Sequence, residues 1–403
     1  MAVFFLFIIY MAFISLGLPD PLLGVAWPMM RVEFGMPLEA AGPVSMFLAG
    51  GMILSGLASG VVVKRLGTGK VVFFSCVMTA ASLLGFSLSS SYVWLLFLAI
   101  PLGLGAGSVD AGLNNYVATH YKAHHMSWLH CCWGVGATIG PMIMSWYMGG
   151  GKSWRSGYLT VSLIQFALAV LLFSTLPLWK RMEQKAADGA ANPEEGEPVP
   201  GTESAGEKAK SAKPIRVKGV KLALLCFAFY CGAEGVMGLW GSSYLVNVRG
   251  LTAATAAQWV SAYFSGIMAG RFISGFITLK LTNRVLIRLG QLLSLAGALL
   301  LLLPLPAVFS LAGFVLIGLG FAPVFPCMVH ETPARFGKAN SPTIIGFQMA
   351  SAYAGGTFLP PVLGLVASHT NIGILPLFVI LFIVIILICS ESINRFISGR
   401  SSD

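Results

Sequence analysis

The chain has 403 residues, of which 56% are hydrophobic and only 10% charged, with a mean hydropathy of +0.82. A soluble domain carries roughly 25% charged residues, so this composition excludes a soluble enzyme or nucleic-acid binder and points to lipid. The net charge of +10 does not contradict that, because the basic residues cluster in short links between apolar runs.

A membrane-spanning helix needs about 20 apolar residues. Twelve such runs follow one another: about 2–29, 38–63, 71–90, 93–119, 127–149, 157–179, 220–247, 253–280, 284–303, 306–329, 341–367 and 371–391. The first begins without a basic leader or a small-residue cleavage site, so it is expected to remain as a helix. Between the sixth and seventh runs, Lys180–Gly219 is rich in Ala, Glu, Lys, Pro and Gly. Low hydrophobicity with mixed charge makes it an expected disordered tether. The domains are therefore read as a bundle over 1–180, a linker over 181–219, a second bundle over 220–394 and a tail over 395–403.

With both termini cytoplasmic, the inner links carry twenty of the Lys and Arg residues and the outer links four: Arg31, Lys152, Arg155 and Arg249. That bias sets the expected orientation. Arg271 lies inside the eighth run. The halves also repeat at an offset near 215 residues: Gly51, Gly60, Gly103 and Gly105 fall on Gly266, Gly275, Gly318 and Gly320. Gly17 falls on Gly232, while Thr138 and Pro141 match Thr357 and Pro360 at an offset of 219. Such spacing predicts a parallel repeat about an axis along the membrane normal.

Of the fifteen acidic residues, Asp20, Asp110 and Glu234 lie well inside the runs. A carboxylate at the centre of a membrane helix costs about 2.5–3.5 kcal/mol on insertion scales, and by default it marks a pathway or proton relay. Asp20 sits in Gly17-Leu-Pro-Asp-Pro21, where two prolines break the helix. Irregular backbone at that depth is tolerated only against protein or a water-filled cavity, although a simple capping role at the kink is the alternative. Asp110 and Asn114 are four residues apart and share one helix face, with Asn115 beside them. A silent protonated carboxyl between helices is the alternative for Asp110. Glu234 and Arg271 are expected to pair and lock the seventh and eighth spans, with a substrate contact as the alternative. His130 and Trp133, three apart on the fifth span, could line a cavity, and an indole ring is a good platform for a sugar. Trp240, Gln348 and Tyr353 are the second-half candidates, with packing between helices as the alternative for each of these residues. Trp27, Trp94, Trp128, Trp146, Trp154 and Trp179 lie near span ends and read as interface anchors.

Several motifs fail on inspection. Gly134-Val-Gly-Ala-Thr-Ile-Gly140 follows no strand, so it is not a nucleotide loop. His130, Cys131 and Cys132 are adjacent helix positions and cannot wrap one metal, and His124-His125 has no further ligands. The seven cysteines have no metal or disulfide spacing and read as reduced. No acid, base and nucleophile constellation suggests an enzyme, and no cofactor or metal is expected.

Two six-helix halves with a tether resemble the major facilitator superfamily. Gly60-Val-Val-Val-Lys-Arg-Leu-Gly-Thr-Gly-Lys70 is similar to its cytoplasmic glycine/basic signature, with Lys64 at the usually acidic position. Within it, the chain resembles the fucose:proton symporter family and related sugar carriers across all twelve spans. That likeness rests on Gly17-Leu-Pro-Asp-Pro-Leu-Leu23, Asp110-Ala-Gly-Leu-Asn-Asn-Tyr-Val117 and Leu129-His-Cys-Cys-Trp-Gly-Val-Gly-Ala137. Gly232-Ala-Glu-Gly-Val236, Trp240 and Gly266-Ile-Met-Ala-Gly-Arg271 extend it.

The resemblance implies an all-α membrane protein of twelve helices in two pseudo-symmetric six-helix bundles, in a bacterial-type inner membrane. It implies monosaccharide:proton symport by alternating access, with Asp20 and Asp110 serving sugar binding and proton transfer. That family often has Glu where Asp110 stands. Sodium coupling, proton-driven efflux of amphiphiles or lipids, and a non-transporting receptor or scaffold are the alternatives. The expected partners are a small solute, a coupling cation and the bilayer, with no nucleic acid, and the chain is expected to be a monomer.

Overall fold

The computed structural model describes residues 2–121, 123–191, 217, 219–278, 280–337 and 340–398, and among them it contains fifteen α-helices and no strand. In chain order they are α1 (Ala2–Gly17), α2 (Leu22–Glu33), α3 (Ala41–Leu66), α4 (Thr68–Leu88), α5 (Tyr92–His120), α6 (Ala123–Gly149), α7 (Trp154–Ala191) and α8 (Val220–Arg249). They continue with α9 (Ala253–Ile277), α10 (Asn283–Leu302), α11 (Ala307–Phe321), α12 (Val324–His330), α13 (Thr332–Phe336), α14 (Ser341–His369) and α15 (Leu375–Ser398). Eleven of the resulting segments are long and apolar enough to cross a membrane, and α6, with 27 residues, supplies the remaining crossing. Two crossings are broken. Pro19 and Pro21 interrupt the first between α1 and α2, and Pro323 interrupts the tenth between α11 and α12.

The repeat in the sequence is a repeat of close approaches in space. A Cβ on Gly103 would lie 1.9 Å from the Leu48 carbonyl oxygen, and one on Gly318 would lie 2.2 Å from that of Tyr263. Both partners are also 215 residues apart. Gly51 against Ile100 and Leu104 is matched by Gly266 against Val315 and Leu319. Gly136 on Ile14 is matched by Gly355 on Ala228, each at 1.9 Å. Glycine is required at these points because any side chain would push the two helix backbones apart. In both halves the second crossing packs on the fourth, the third on the sixth and the first on the fifth.

The chain alternates direction, so one end of the bundle holds residue 2, the turn at Gly67 and Ser398. The other end holds the links at Gly35, Gly151 and Gly250. The halves meet toward this second end. Arg31 Nη2 donates to Asn247 Oδ1 at 3.0 Å, Ser145 Oγ to the Ala254 carbonyl at 2.8 Å, and a Cβ on Gly42 would touch Pro361 at 3.2 Å.

Two expectations are corrected. α7 runs to Ala191, so the beginning of the expected tether is helical; Ala, Lys, Glu and Gln there are good helix formers. The rest of that tether, apart from Val217 and Gly219, and the last residues of the tail lie outside the described residues. Trp27, Trp154 and Trp179 are fully buried rather than interface anchors, whereas Trp94, Trp128 and Trp146 are exposed. The indole N–H of Trp27 donates to the Leu38 carbonyl and that of Trp154 to Glu33 Oε2, bonds that hold them inside the helix packing.

Candidate functional site: a cavity between the halves

The break between α1 and α2 places the first carboxyl. Pro19 and Pro21 end α1 and restart the chain as α2, leaving Asp20 on irregular backbone. Gly17, just before the break, packs directly on α6: a Cβ there would lie 2.1 Å from the Trp133 carbonyl oxygen. That contact brings Trp133 beside Asp20, and the indole Nε1–H donates to Asp20 Oδ2 at 2.6 Å. The second carboxyl comes from α5. Asn114, one turn on, donates from Nδ2 to Asp110 Oδ1 at 2.8 Å, and Tyr353 of α14 donates its hydroxyl to Oδ2 at 3.3 Å. Asn114 Oδ1 is buried without a partner among the described residues, which leaves an acceptor for a donor brought by water or a solute.

Both carboxyls line one cavity of about 860 Å³ between the halves, within the range of small-molecule sites. Asn114, His130, Trp133 and Tyr353 line it too, as does Glu234. The cavity reaches Val329 and Ile345, close to the α12 and α14 ends that share the side of the termini. His130 stands edge-on to Phe13, 5.8 Å between ring centres. Glu234 Oε1 is 3.9 Å from Arg271 Nη2, so the expected pair forms at the outer limit of an ion-pair distance. Arg271 also lies over the Trp133 ring, with Cζ 5.3 Å from its centroid.

Two second-half candidates are not brought to the wall. Trp240 is fully buried and donates to the Pro360 carbonyl at 2.7 Å. Gln348 is 1% exposed and accepts from Thr332 Oγ1 at 3.1 Å. The side chain of Asn115 lies outside the described residues. No cluster of His, Cys, Asp or Glu among the described residues could hold a metal ion.

The second-half wall was nonetheless findable from the repeat. Carried forward by 215, Ala49, Asp20, Asp110 and Asn114 fall on Phe264, Gly235, Phe325 and Val329, and carried forward by 219, His130 and Trp133 fall on Met349 and Ala352. All twelve line the cavity. Apart from Ala49, the first-half member of each pair is polar and its counterpart apolar or without a side chain, while Glu234, Tyr353 and Thr357 add polar groups to the second-half lining.

The sequence matches the family model of the Major Facilitator Superfamily over residues 3–360. The chain belongs to this superfamily. It is a membrane transporter, not an enzyme. It is 23% identical to the cis,cis-muconate transport protein of Acinetobacter baylyi, covering 91% of this chain and 87% of that one. It is 22% identical to the glucose/mannose transporter GlcP of Bacillus subtilis, covering 88% and 86%. The fold is similar to a bacterial homolog of the human lysosomal transporter Spinster, in an inward-facing and unoccupied conformation. The TM-score is 0.70 at 13% identity, over 97% of this chain and 96% of that one. It is also similar to the transporter FucP in the outward conformation, with a TM-score of 0.62 at 16% identity, over 96% and 98%.

Proposed function

We propose that this transporter carries a small neutral polyhydroxy solute, a monosaccharide or close relative, inward with a proton. The observation that carries this reading is the pair of carboxyls, Asp20 and Asp110, lining the same cavity, each held by hydrogen-bond donors. In the proposed cycle Asp110 loads the proton and Asp20 binds the sugar, with Asn114, His130 and Trp133 shaping the polar wall. A sugar has hydroxyl edges and apolar C–H faces, which suits a cavity whose lining carries both polar groups and apolar surface. The acids Asp20, Asp110 and Glu234 outnumber Arg271, so an anionic solute would meet like charge. That favours the solute class named for GlcP over the dicarboxylate named for the muconate protein.

With both termini in the cytoplasm, as the basic links indicate, the cavity of this structure faces the cytoplasm and the halves rock about it to expose the other side. Reconstituted vesicles with an acidic exterior test the reading. A labelled monosaccharide is expected to accumulate against its gradient, and D110N is expected to lose accumulation while retaining sugar exchange. Accumulation of muconate instead, or full accumulation by D110N, overturns it.

A second reading draws on the apolar part of the lining, to which Leu48, Met52 and Leu102 of the first half and Phe325, Val329 and Met349 of the second contribute. Such a surface suits an amphiphile expelled in exchange for protons. In the same vesicles, proton-driven export of a fluorescent amphiphile with no response to any sugar would favour it.

A further inference from the structure

The Asp20–Trp133 hydrogen bond is one link in a chain of contacts that crosses between the halves. Trp133, on α6 of the first half, binds the carboxylate with its N–H at 2.6 Å and holds a second-half guanidinium, that of Arg271 on α9, over its ring. Arg271 meets Glu234 of α8 at 3.9 Å, and their side chains are 14% and 18% exposed. Phe264 of α9 stands edge-on to the same indole at 6.2 Å, and Gly134 beside it packs on Met268. The ring is therefore wedged in the seam between α6 and α9.

Resting on the proton-coupled reading above, we propose that Trp133 is a positioning residue that carries the charge state of Asp20 across this seam to the Arg271–Glu234 pair. With Asp20 ionised, the indole N–H makes a charge-assisted bond, and the anion at the ring edge enriches the ring face that attracts Arg271. A proton on Asp20 removes the anion. The N–H bond weakens, the ring face loses its hold on the guanidinium, and Arg271 closes on Glu234, its remaining charged partner in this chain of contacts. Two halves that share one residue's allegiance in this way have a contact whose strength depends on proton loading. The 3.9 Å spacing of Arg271 and Glu234 leaves room for that closure.

Other groups share the chamber and must be separated from Asp20 in any titration. Asp110 faces it from α5, His130 from α6, Cys231 and Glu234 from α8, and Tyr353 from α14, with Arg271 on the far face of Trp133. The test is a pH titration of intrinsic tryptophan emission, on the full-length protein in nanodiscs and without any solute. Wild type is expected to show a pH-dependent component that W133F loses, which assigns it to that ring, and that D20N also loses. R271K, which keeps the cation, is expected to titrate with the wild-type midpoint, and R271Q with a displaced one. A component that survives in W133F or in D20N overturns the proposal, as does an R271Q titration superimposable on wild type. Because R271Q removes half of a buried pair and could fail to fold, D20N and R271K keep the test decisive without it. The measurement uses neither solute nor gradient. A chain that proved to carry some other solute would leave it standing, while a flat titration in a working symporter would remove the relay alone.

Discussion

Tyr353 of the second half donates its hydroxyl to Oδ2 of Asp110 in the first, at 3.3 Å, across the cavity. Since Tyr353 is 47% exposed, the bond sits in the wet part of the chamber, and solvent weakens it relative to a buried one. It ties the ionised carboxyl to the opposite half, so the proton load of Asp110 bears on how closely the halves approach there. Replacing Tyr353 with Phe removes the donor and keeps the ring. That destabilises the carboxylate by about 1 kcal/mol, so the apparent proton affinity of transport is expected to rise roughly fivefold. Thermal stability is expected to change by no more than about 0.5 kcal/mol. Uptake measured against external pH, beside a melting curve, checks both.

The pH dependence of transport follows from the chemistry of the carboxyl. A carboxyl is loaded at low pH and empty at high pH, so uptake through Asp110 rises as the pH on the loading side falls. D110N removes that titrating group while Asp20 remains, so its exchange rate is expected to vary with pH less than that of wild type. Exchange at equal pH on both sides of the vesicle measures this.

The repeated glycine contacts carry a stability prediction with a built-in control. A Cβ on Gly103 or Gly318 would sit about 2 Å from a carbonyl oxygen, and backbone cannot move aside as a flexible side chain can. G103A and G318A are each expected to cost about 1–3 kcal/mol through overpacking. A Cβ on Gly50 would meet nothing within 4 Å, so G50A is expected to be neutral or slightly stabilising. Melting temperatures of the three in one detergent decide it.

Arg31 and Asn247 join α2 to α8 where the halves meet, and Arg31 Nε is buried there without a partner among the described residues. The contact belongs to the conformation seen here and must break when the other side opens. N247A is expected to shift the equilibrium toward that opening by about 1 kcal/mol, or several-fold in population. Cys231 lines the cavity and reports on access. In a background with Cys131 and Cys132 changed to Ser, alkylation of Cys231 from the Arg31 side by an impermeant maleimide is expected to be several-fold faster in N247A. An unchanged rate would mean that the contact does not restrain opening.

The two membrane-depth acids of the first half were legible in the sequence because an ionisable group in an apolar run has few places to go. Asp20 and Asp110 had to face protein or water, and both reach the cavity. The break at Gly17–Pro21 was legible for a related reason, since two prolines cannot continue a helix. Trp240 and Gln348 lie off the cavity wall, because a polar-capable side chain on an apolar helix can be satisfied by a neighbouring backbone or hydroxyl as well as by a ligand. Composition does not distinguish the two cases. For Trp240 the partner is the Pro360 carbonyl of α14.

Alone, then, the sequence determined the number of crossings, the six-plus-six division and the acids that could not face lipid, because burial in hydrocarbon penalises charge and unpaired backbone wherever they occur. Tertiary structure decided the rest. It set Trp133 against Asp20, Tyr353 against Asp110, and Arg271 between Trp133 and Glu234, and it turned the apolar copies of the first-half polar residues into the facing wall. Those choices depend on helix-to-helix distances of a few ångströms, set by glycines whose partners lie dozens to over two hundred residues away, and no local pattern carries that information.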